Sequence, residues 1–318
     1  MCSSDLNIFD ANGNLQVNEI TGPTRNANFG LPAGGTQFDP NLPRPTNWEE
    51  SVSVQHELFP RVSVTGGYYH RAFQHLQYTT NTLVNPLTDY TPFSITVPGN
   101  ANLPDGGGQV ITMYNLNANK LGVVNTVSTW SDRNSRVYNG IEFSVNARLN
   151  RGFVFGGVTT ERTATNSCAD LTNSNPNNLR FCNSVPPFRT LYKASGAYML
   201  PAAVNASLTF QARPGISIGS FYTFNSAIAG VALTGGGNLT VTVVDPNTQF
   251  YPYVKTLDAR IARSFRSGRT RIEPFMEIFN LPNFSTILTV NETVGPSYFT
   301  PGSIVQGRRF QFGARVDW

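Results

Sequence analysis

The sequence is poor in charged residues, and this shortage excludes several classes of protein. Of its 318 residues only 13% are charged, and just three are lysines (Lys120, Lys193 and Lys255). Coiled coils and helical bundles need far more Glu and Lys. The net charge of +4 comes from dispersed arginines rather than a basic stripe, so no nucleic-acid partner is expected. With 12% aromatic residues, the chain is also too apolar for a disordered protein.

Long apolar runs and cysteines are scarce as well. No run approaches the roughly 18 apolar residues of a membrane-spanning helix. Cys168 and Cys182 form an even pair that would bridge a loop in an oxidising compartment, with two free thiols as the alternative. Cys2 lies in an opening, residues 1–6 (MCSSDL), that reads like translated sequencing adapter. We therefore expect residues 1–6 to be an artefact.

What the sequence has in abundance is alternation of apolar and polar residues with a period of two. It is clearest in residues 310–318, where Phe310, Phe312, Val316 and Trp318 alternate with polar or small residues. The same pattern recurs in residues 141–149, 204–211 and 257–261. Successive side chains of a strand point to opposite faces, so each stretch has one apolar and one polar face. The pattern predicts an all-β protein.

The links between the predicted strands alternate between short and long. We predict nine strands, at residues 47–58, 61–78, 133–149, 152–165, 187–199, 203–224, 251–266, 270–280 and 304–318. The long links cover about 79–132, 166–186, 225–250 and 281–303. Tight turns at one end and large loops at the other are typical of transmembrane β-barrels, with short periplasmic turns and long extracellular loops. The strands are also longer than those of a soluble β-sandwich. The predicted fold is therefore an antiparallel up-and-down transmembrane β-barrel, present in part.

Several of these stretches resemble one family. Residues 47–58 (NWEESVSVQHEL) and 62–71 (VSVTGGYYHR) resemble a hairpin of TonB-dependent outer-membrane receptors of the Oar-like type, which carry an N-terminal carboxypeptidase-regulatory-like domain. Residues 138–149 (YNGIEFSVNARL) resemble a later strand of that family. Residues 279–283 (FNLPN) and 307–313 (GRRFQFG) resemble its last hairpin.

The resemblance implies a bacterial outer-membrane protein with a larger barrel, a plug domain and a TonB complex as partner. We expect residues 47–318 to form the C-terminal part of such a barrel and residues 7–46 to be the remnant of an extracellular loop. An incomplete barrel has two free edges. We therefore predict that strands 47–58 and 304–318 do not pair with each other.

Candidate functional residues follow from this arrangement. Charged residues on the polar faces are candidates for plug contacts or a solute path, with cross-strand ion pairs as the alternative; they are Arg148, Arg260, Arg315, Glu142 and Asp258. Aromatic residues in the long links are candidates for surface contact with a solute; they are Tyr90, Phe93, Tyr114 and Trp130. The terminal Trp318, with Phe310 and Phe312, resembles the signal read by the barrel assembly machinery, and an interfacial aromatic is the alternative.

No arrangement of residues suggests an enzyme or a cofactor. His70 and His75 lie five apart and face opposite sides of an extended strand, so they cannot share a metal there. The expected function is TonB-dependent uptake of an unidentified solute across the outer membrane, with lipid around the barrel. The alternatives are a passive channel or adhesin-type barrel, and a secreted soluble β-sheet protein that binds a glycan.

Overall fold

The computed structural model describes residues 37–168 and 175–318. In these residues the strands are β1 (Gln37–Phe38), β2 (Thr46–Phe59), β3 (Val62–Gln74), β4 (Gln77–Asn81), β5 (Tyr90–Thr96), β6 (Val110–Leu116), β7 (Thr126–Trp130), β8 (Ser135–Leu149), β9 (Gly152–Asn166), β10 (Asn183–Ser184), β11 (Arg189–Leu200), β12 (Val204–Arg213), β13 (Phe221–Asn225), β14 (Asn238–Thr242), β15 (Val254–Arg263), β16 (Phe265–Ser267), β17 (Thr270–Phe279), β18 (Ile287–Val290), β19 (Pro301–Ile304) and β20 (Arg309–Asp317).

Helical structure is limited to short pieces. One α-helix, α1 (Ser226–Ala229), and three 3₁₀ turns (Ala118–Lys120, Pro176–Leu179 and Pro201–Ala203) are described. Among the described residues, no helix is long and apolar enough to cross a membrane.

Nine long strands follow chain order in one antiparallel sheet of eleven strands, and we call these nine the wall: β2, β3, β8, β9, β11, β12, β15, β17 and β20. The short strands β10 and β16 pair with β9 and β17 of this sheet. Each strand of the wall pairs with the next along the chain, which is the up-and-down topology of a partial β-barrel. The all-β, up-and-down fold class is as predicted. The ladders of β2 and β20 run to β3 and β17 and not to each other, as also predicted.

The nine predicted strands correspond to the nine strands of the wall, but three of the predicted ranges extend beyond the observed strand ends. The strand predicted at 203–224 ends at Arg213, because Pro214 and Gly215 follow, and residues 221–225 form β13 elsewhere. The strand predicted at 61–78 ends at Gln74, and His75 has a left-handed φ of 54°. The strand predicted at 304–318 begins only at Arg309.

The long links are not irregular loops but contain strands of their own. Antiparallel hairpins form between β5 and β6, β13 and β14, and β18 and β19. Of the predicted remnant loop 7–46, residues 7–36 lie outside the described residues, as does the predicted artefact 1–6. Within the rest, β1 pairs in parallel with β7.

The buried core lies in these links and not in the wall. Thirteen buried residues from three links pack together, and we call this unit the cap core: Ile95, Val97, Leu103, Ile111, Met113, Tyr222, Phe224, Ala229, Leu233, Val241, Val243, Val294 and Tyr298. Since the apolar side chains of the links bury one another, the links form a folded cap at one end of the wall.

Candidate functional site

The register of the wall separates an apolar face from a polar face. One row across eight strands is apolar: Val62, Ala147, Val154, Gly196, Leu208, Ala259, Ile278 and Phe310. The next row belongs to the opposite face and is largely polar: Ser63, Asn146, Phe155, Ser195, Thr209 and Asp258. Phe155 is an exception, and it stacks on Phe153 of the same face with ring centroids 6.0 Å apart.

The apolar face is open. Leu208 is 52% exposed, Phe310 57% and Phe312 74%, so no other described part of the chain covers these side chains. A soluble β-sandwich would clasp such faces together around a dry core. No second sheet covers this face in residues 37–168 and 175–318.

The five charged residues predicted for the polar face all lie on it, but they have different surroundings. Arg260 has ion-pair distances of 3.3 Å to Glu277 and 3.6 Å to Glu273, both on the neighbouring strand β17. Arg315 contacts Asp317 at 2.9 Å. Arg260 therefore follows the alternative of cross-strand ion pairs, whereas the partner of Arg315 lies on the same strand, β20. Among the described residues, the side chains of Arg148 and Glu142 have no ion pair within 4.0 Å.

Asp258 takes part in a junction that closes the last hairpin of the wall. Its carboxylate accepts a hydrogen bond of 2.8 Å from the backbone N–H of Asn280. The buried Asn280 amide in turn donates to the carbonyls of Phe284 and Gln306, at 2.9 Å each, and accepts from the N–H of Phe284 at 2.8 Å. The FNLPN motif is therefore a structural tie between β17 and the approach to β20.

A second polar-face group, which the sequence reading missed, lies near the cap. We call it the polar cluster: Glu49, Arg71, Phe73, Arg136, Tyr138 and Glu161. Glu49, Arg71 and Tyr138 stand opposite one another on β2, β3 and β8, and Arg71 forms an ion pair with Glu49. The Tyr138 hydroxyl donates to Glu161 at 2.7 Å.

An aromatic ring between two cations completes the polar cluster. The guanidinium carbons of Arg71 and Arg136 lie 5.9 and 5.8 Å from the ring centroid of Phe73. The guanidinium of Arg136 has no carboxylate partner within 4.0 Å among the described residues. Except for Glu161, the side chains of the polar cluster line a recess of about 410 Å³ that offers charges of both signs and an aromatic face. Such a surface can hold a polar solute or protein segment.

The aromatic residues proposed as surface contacts are engaged within the links. Phe93 packs edge-on against Phe224 of the cap core, with ring centroids 6.1 Å apart. Trp130 makes a similar contact with His75 at 5.1 Å. Burial raises the pKa of the Tyr90 phenol. The backbone N–H and carbonyl of Tyr114 bond the Asn177 side chain at 2.9 and 2.8 Å. These contacts give Phe93, Trp130 and Tyr114 a structural role within the links.

Cys168 and Cys182 form a disulfide bond, with a Cα–Cα distance of 4.9 Å. The segment that precedes Cys182 contacts two hairpins of the cap. Asn177 bonds Tyr114 of β6, and Arg180 donates to the carbonyls of Thr242 and Val243 at 2.7 and 3.0 Å. Burial lowers the pKa of Arg180. The disulfide therefore anchors a segment that joins the cap to the wall.

At the end of the chain, the aromatic side chains of the apolar face are exposed. Phe310 and Phe312 belong to β20, and Trp318 follows the strand directly and is 94% exposed. Among the described residues no group of three or more His, Cys, Asp or Glu side chains is placed to hold a metal ion.

Comparison with known proteins gives weak structural similarity. No protein-family model matches the chain. No curated protein matches it by sequence. Solved structures with a similar backbone include the siderophore receptor PirA from Acinetobacter baumannii, with 14% sequence identity and a TM-score of 0.42. They also include the outer membrane transporter YddB from Escherichia coli, with 9% identity and a TM-score of 0.44. A third similar structure is a Pseudomonas aeruginosa FadL homologue, with 10% identity and a TM-score of 0.22.

The chain covers only part of these proteins. It aligns over 86% of its own length with 31% of PirA, over 88% with 34% of YddB, and over 86% with 66% of the FadL homologue. The chain thus spans about a third of the length of the first two. Its fold class rests on its own strand order and register, described above.

Proposed function

We propose that this chain forms part of the wall and the surface loops of a bacterial outer-membrane receptor that takes up a solute. One observation carries the proposal: a single up-and-down sheet exposes an apolar face on one side and a charged face on the other. In such a barrel the apolar face contacts lipid, and the charged face lines an interior that is filled with water or with a plug. The cap then lies at the extracellular end, since the long links of such barrels are extracellular.

The finer proposal is active, TonB-dependent uptake by an Oar-like receptor. The sequence resemblance of residues 47–58, 62–71, 138–149, 279–283 and 307–313 supports it. In this proposal a plug domain fills the barrel and contacts the polar face, where Arg148, Arg136 and Glu142 have no ion-pair partner within the described chain. The solute remains unidentified.

Lipid contact is tested by adjacent residues of β12. A fluorophore is attached to a single cysteine at Leu208, on the apolar face, or at Thr209, on the polar face. In vesicles of brominated phosphatidylcholine we expect strong quenching at position 208 and weak quenching at 209, because only the first contacts acyl chains. Equal quenching at both positions would contradict the membrane placement.

TonB dependence needs a separate experiment in cells that express the full-length protein. We expect solute uptake to stop when TonB is deleted or the proton gradient is collapsed. Uptake that continues unchanged would favour the passive channel instead. The genomic sequence upstream of Asn7 tests the Oar-like subtype, for which we expect a plug and a carboxypeptidase-regulatory-like domain.

We also propose that Trp318 contributes to recognition by the barrel assembly machinery. Its exposure beyond β20, on the side of Phe310 and Phe312, supports this role. Deletion of Trp318 from the full-length protein is expected to lower the amount of folded barrel in the membrane. If neither the deletion nor Trp318→Ala changes the yield of folded barrel, the proposed role of Trp318 is contradicted.

A further inference from the structure

A recess on the apolar face combines aromatic rings with the ammonium group of Lys255. It lies at the cap end of the wall and is lined by Tyr192, Phe210, Tyr253, Lys255 and Phe284, with a volume of about 910 Å³. The rings of Tyr192 and Tyr253 approach to 6.5 Å between centroids. Tyrosine prefers the boundary between acyl chains and headgroups, so this recess lies where a lipid headgroup would be.

Lys255 points to the same side as the apolar residues of the wall. It pairs in register with Ala212, and Ala212 with Tyr192, so the three share one face. Among the described residues no carboxylate lies within 4.0 Å of its ammonium group, and no hydrogen bond to that group is described. An ammonium group at the headgroup boundary attracts anionic headgroups, by about 1 kcal/mol per lysine near the surface.

The recess continues into an apolar groove further along the strands. Phe210 lines both, and the groove of about 460 Å³ is lined mostly by apolar residues, among them Ala194, Gly196, Leu208 and Leu257, with Ser195 as a polar member. The side chains of Ala194 and Gly196 are small, whereas those of Leu208 and Phe210 beside them are large. The groove can therefore accept a chain of methylene groups that extends from the recess.

We infer that this recess and groove form a seat for one phosphate-bearing lipid of the outer leaflet. The phosphate pairs with the Lys255 ammonium group, the Tyr192 and Tyr253 rings flank the headgroup, and an acyl chain lies along the groove. The charge of Lys255 selects an anionic headgroup over a neutral one. The inference rests on the proposed membrane placement of the wall.

Lys193 provides a matched control, because it lies on β11 but on the opposite, polar face, in register with Gln211 and Gly157. The full chain is purified in detergent as wild type, Lys255→Gln, Lys255→Arg and Lys193→Gln. Native mass spectrometry then counts retained dipalmitoylphosphatidylglycerol, with dipalmitoylglycerol as the phosphate-free probe. Inorganic phosphate is added as a competitor to distinguish a lipid from a free anion.

We expect Lys255→Gln to retain about five-fold less phosphatidylglycerol than the wild type, as suits the loss of one cation at a membrane surface. Lys255→Arg and Lys193→Gln should retain wild-type amounts, and inorganic phosphate should not displace the lipid. Equal losses in Lys255→Gln and Lys193→Gln, no loss in Lys255→Gln, or displacement by phosphate would overturn the seat. The quenching pair at Leu208 and Thr209 reports separately on membrane placement, so failure of the seat is distinguishable from failure of the proposed function.

Discussion

At the scale of single residues, Asn280 explains why part of the FNLPN motif is needed. Its φ is 53° and that of Asn283 is 60°, in the left-handed region that asparagine tolerates better than most residues. Asn280 is also 5% exposed, and its amide satisfies backbone groups of Phe284 and Gln306. A short amide side chain thus provides both the conformation and the hydrogen bonds of the junction.

We expect Asn280→Ala to lower the free energy of unfolding by about 2–4 kcal/mol, because it leaves buried backbone groups unpaired in a strained conformation. Urea unfolding of the refolded chain in lipid vesicles measures this. Asn205→Ala is the control, since Asn205 is an exposed polar-face residue of β12. An Asn280→Ala variant as stable as Asn205→Ala would show that the junction contributes little.

Asp89 gives a prediction about pH in the cap. The backbone N–H of Asn85, at 2.8 Å, and then the Lys120 ammonium group, at 2.9 Å, hold the pKa of Asp89 below its ordinary 3.8. Because the pKa of Asp89 is lower in the folded chain than in the unfolded chain, the contact stabilises the loop at any pH above the unfolded-state pKa. This stabilisation is lost as the pH falls through the folded-state pKa. We expect the Asn85 amide resonance to titrate with a midpoint below 3.8 and not to titrate in Asp89→Asn. A midpoint at or above 3.8 would contradict the clamp.

At the scale of elements, the regularity of the ladder beside each turn limited what the sequence could predict. The two-residue turn Asn150–Arg151 fixes Leu149 opposite Gly152, and the register of β8 and β9 follows from it without a shift. The first hairpin differs, because its ladder shifts between Glu57 and Phe59. A shift of one residue exchanges the faces of a strand. The opposition of Glu49 to Arg71, and with it the polar cluster, therefore could not be read from the alternation.

The cap hairpins were missed for another physical reason. Residues 90–96 and 110–116 pair across a link that contains three consecutive glycines, Gly106, Gly107 and Gly108, all with positive φ. Glycine clusters indicate a loop, and they say nothing about whether the flanking residues pair. The apolar residues Ile95, Val97, Ile111 and Met113 are buried only because the other links cover them. Such contacts between segments distant in sequence are not encoded in local alternation.

The disulfide allows a prediction at the scale of the segment that it closes. Cys168 and Cys182 are 14 residues apart, and a crosslink of this span stabilises a fold by about 3 kcal/mol through the entropy of the unfolded chain. We expect Cys168→Ser to speed hydrogen exchange in residues 175–184 and 110–116, because Asn177 and Arg180 lose their anchor. The double variant Cys168→Ser/Cys182→Ser is the control for the free thiol that Cys168→Ser leaves at Cys182. Unchanged exchange in Cys168→Ser would mean that the hydrogen bonds suffice to hold the segment.

At the scale of the whole molecule, the wall and the cap are stabilised by different means. The wall consists of backbone ladders with exposed faces on both sides, so its apolar face depends on the surrounding medium. The cap has a buried core of its own, in which Phe224 is 1% exposed. A change in the cap core should therefore affect the cap and spare the wall.

Phe224 and Phe221 of strand β13 provide the test, since they differ in burial: Phe224 is 1% and Phe221 38% exposed. Phe224→Ala creates a cavity among Phe93, Tyr222 and their neighbours and should destabilise the cap by about 3–5 kcal/mol. Phe221→Ala should cost much less. In vesicles we expect limited proteolysis to cleave residues 90–116 and 221–242 faster in Phe224→Ala, while the wall keeps its strand circular dichroism. Unfolding of the wall together with the cap would contradict this prediction and show that the two form one cooperative unit. Strands β12 and β15 flank the link that contains Phe224 and would transmit the loss of the cap core to the wall.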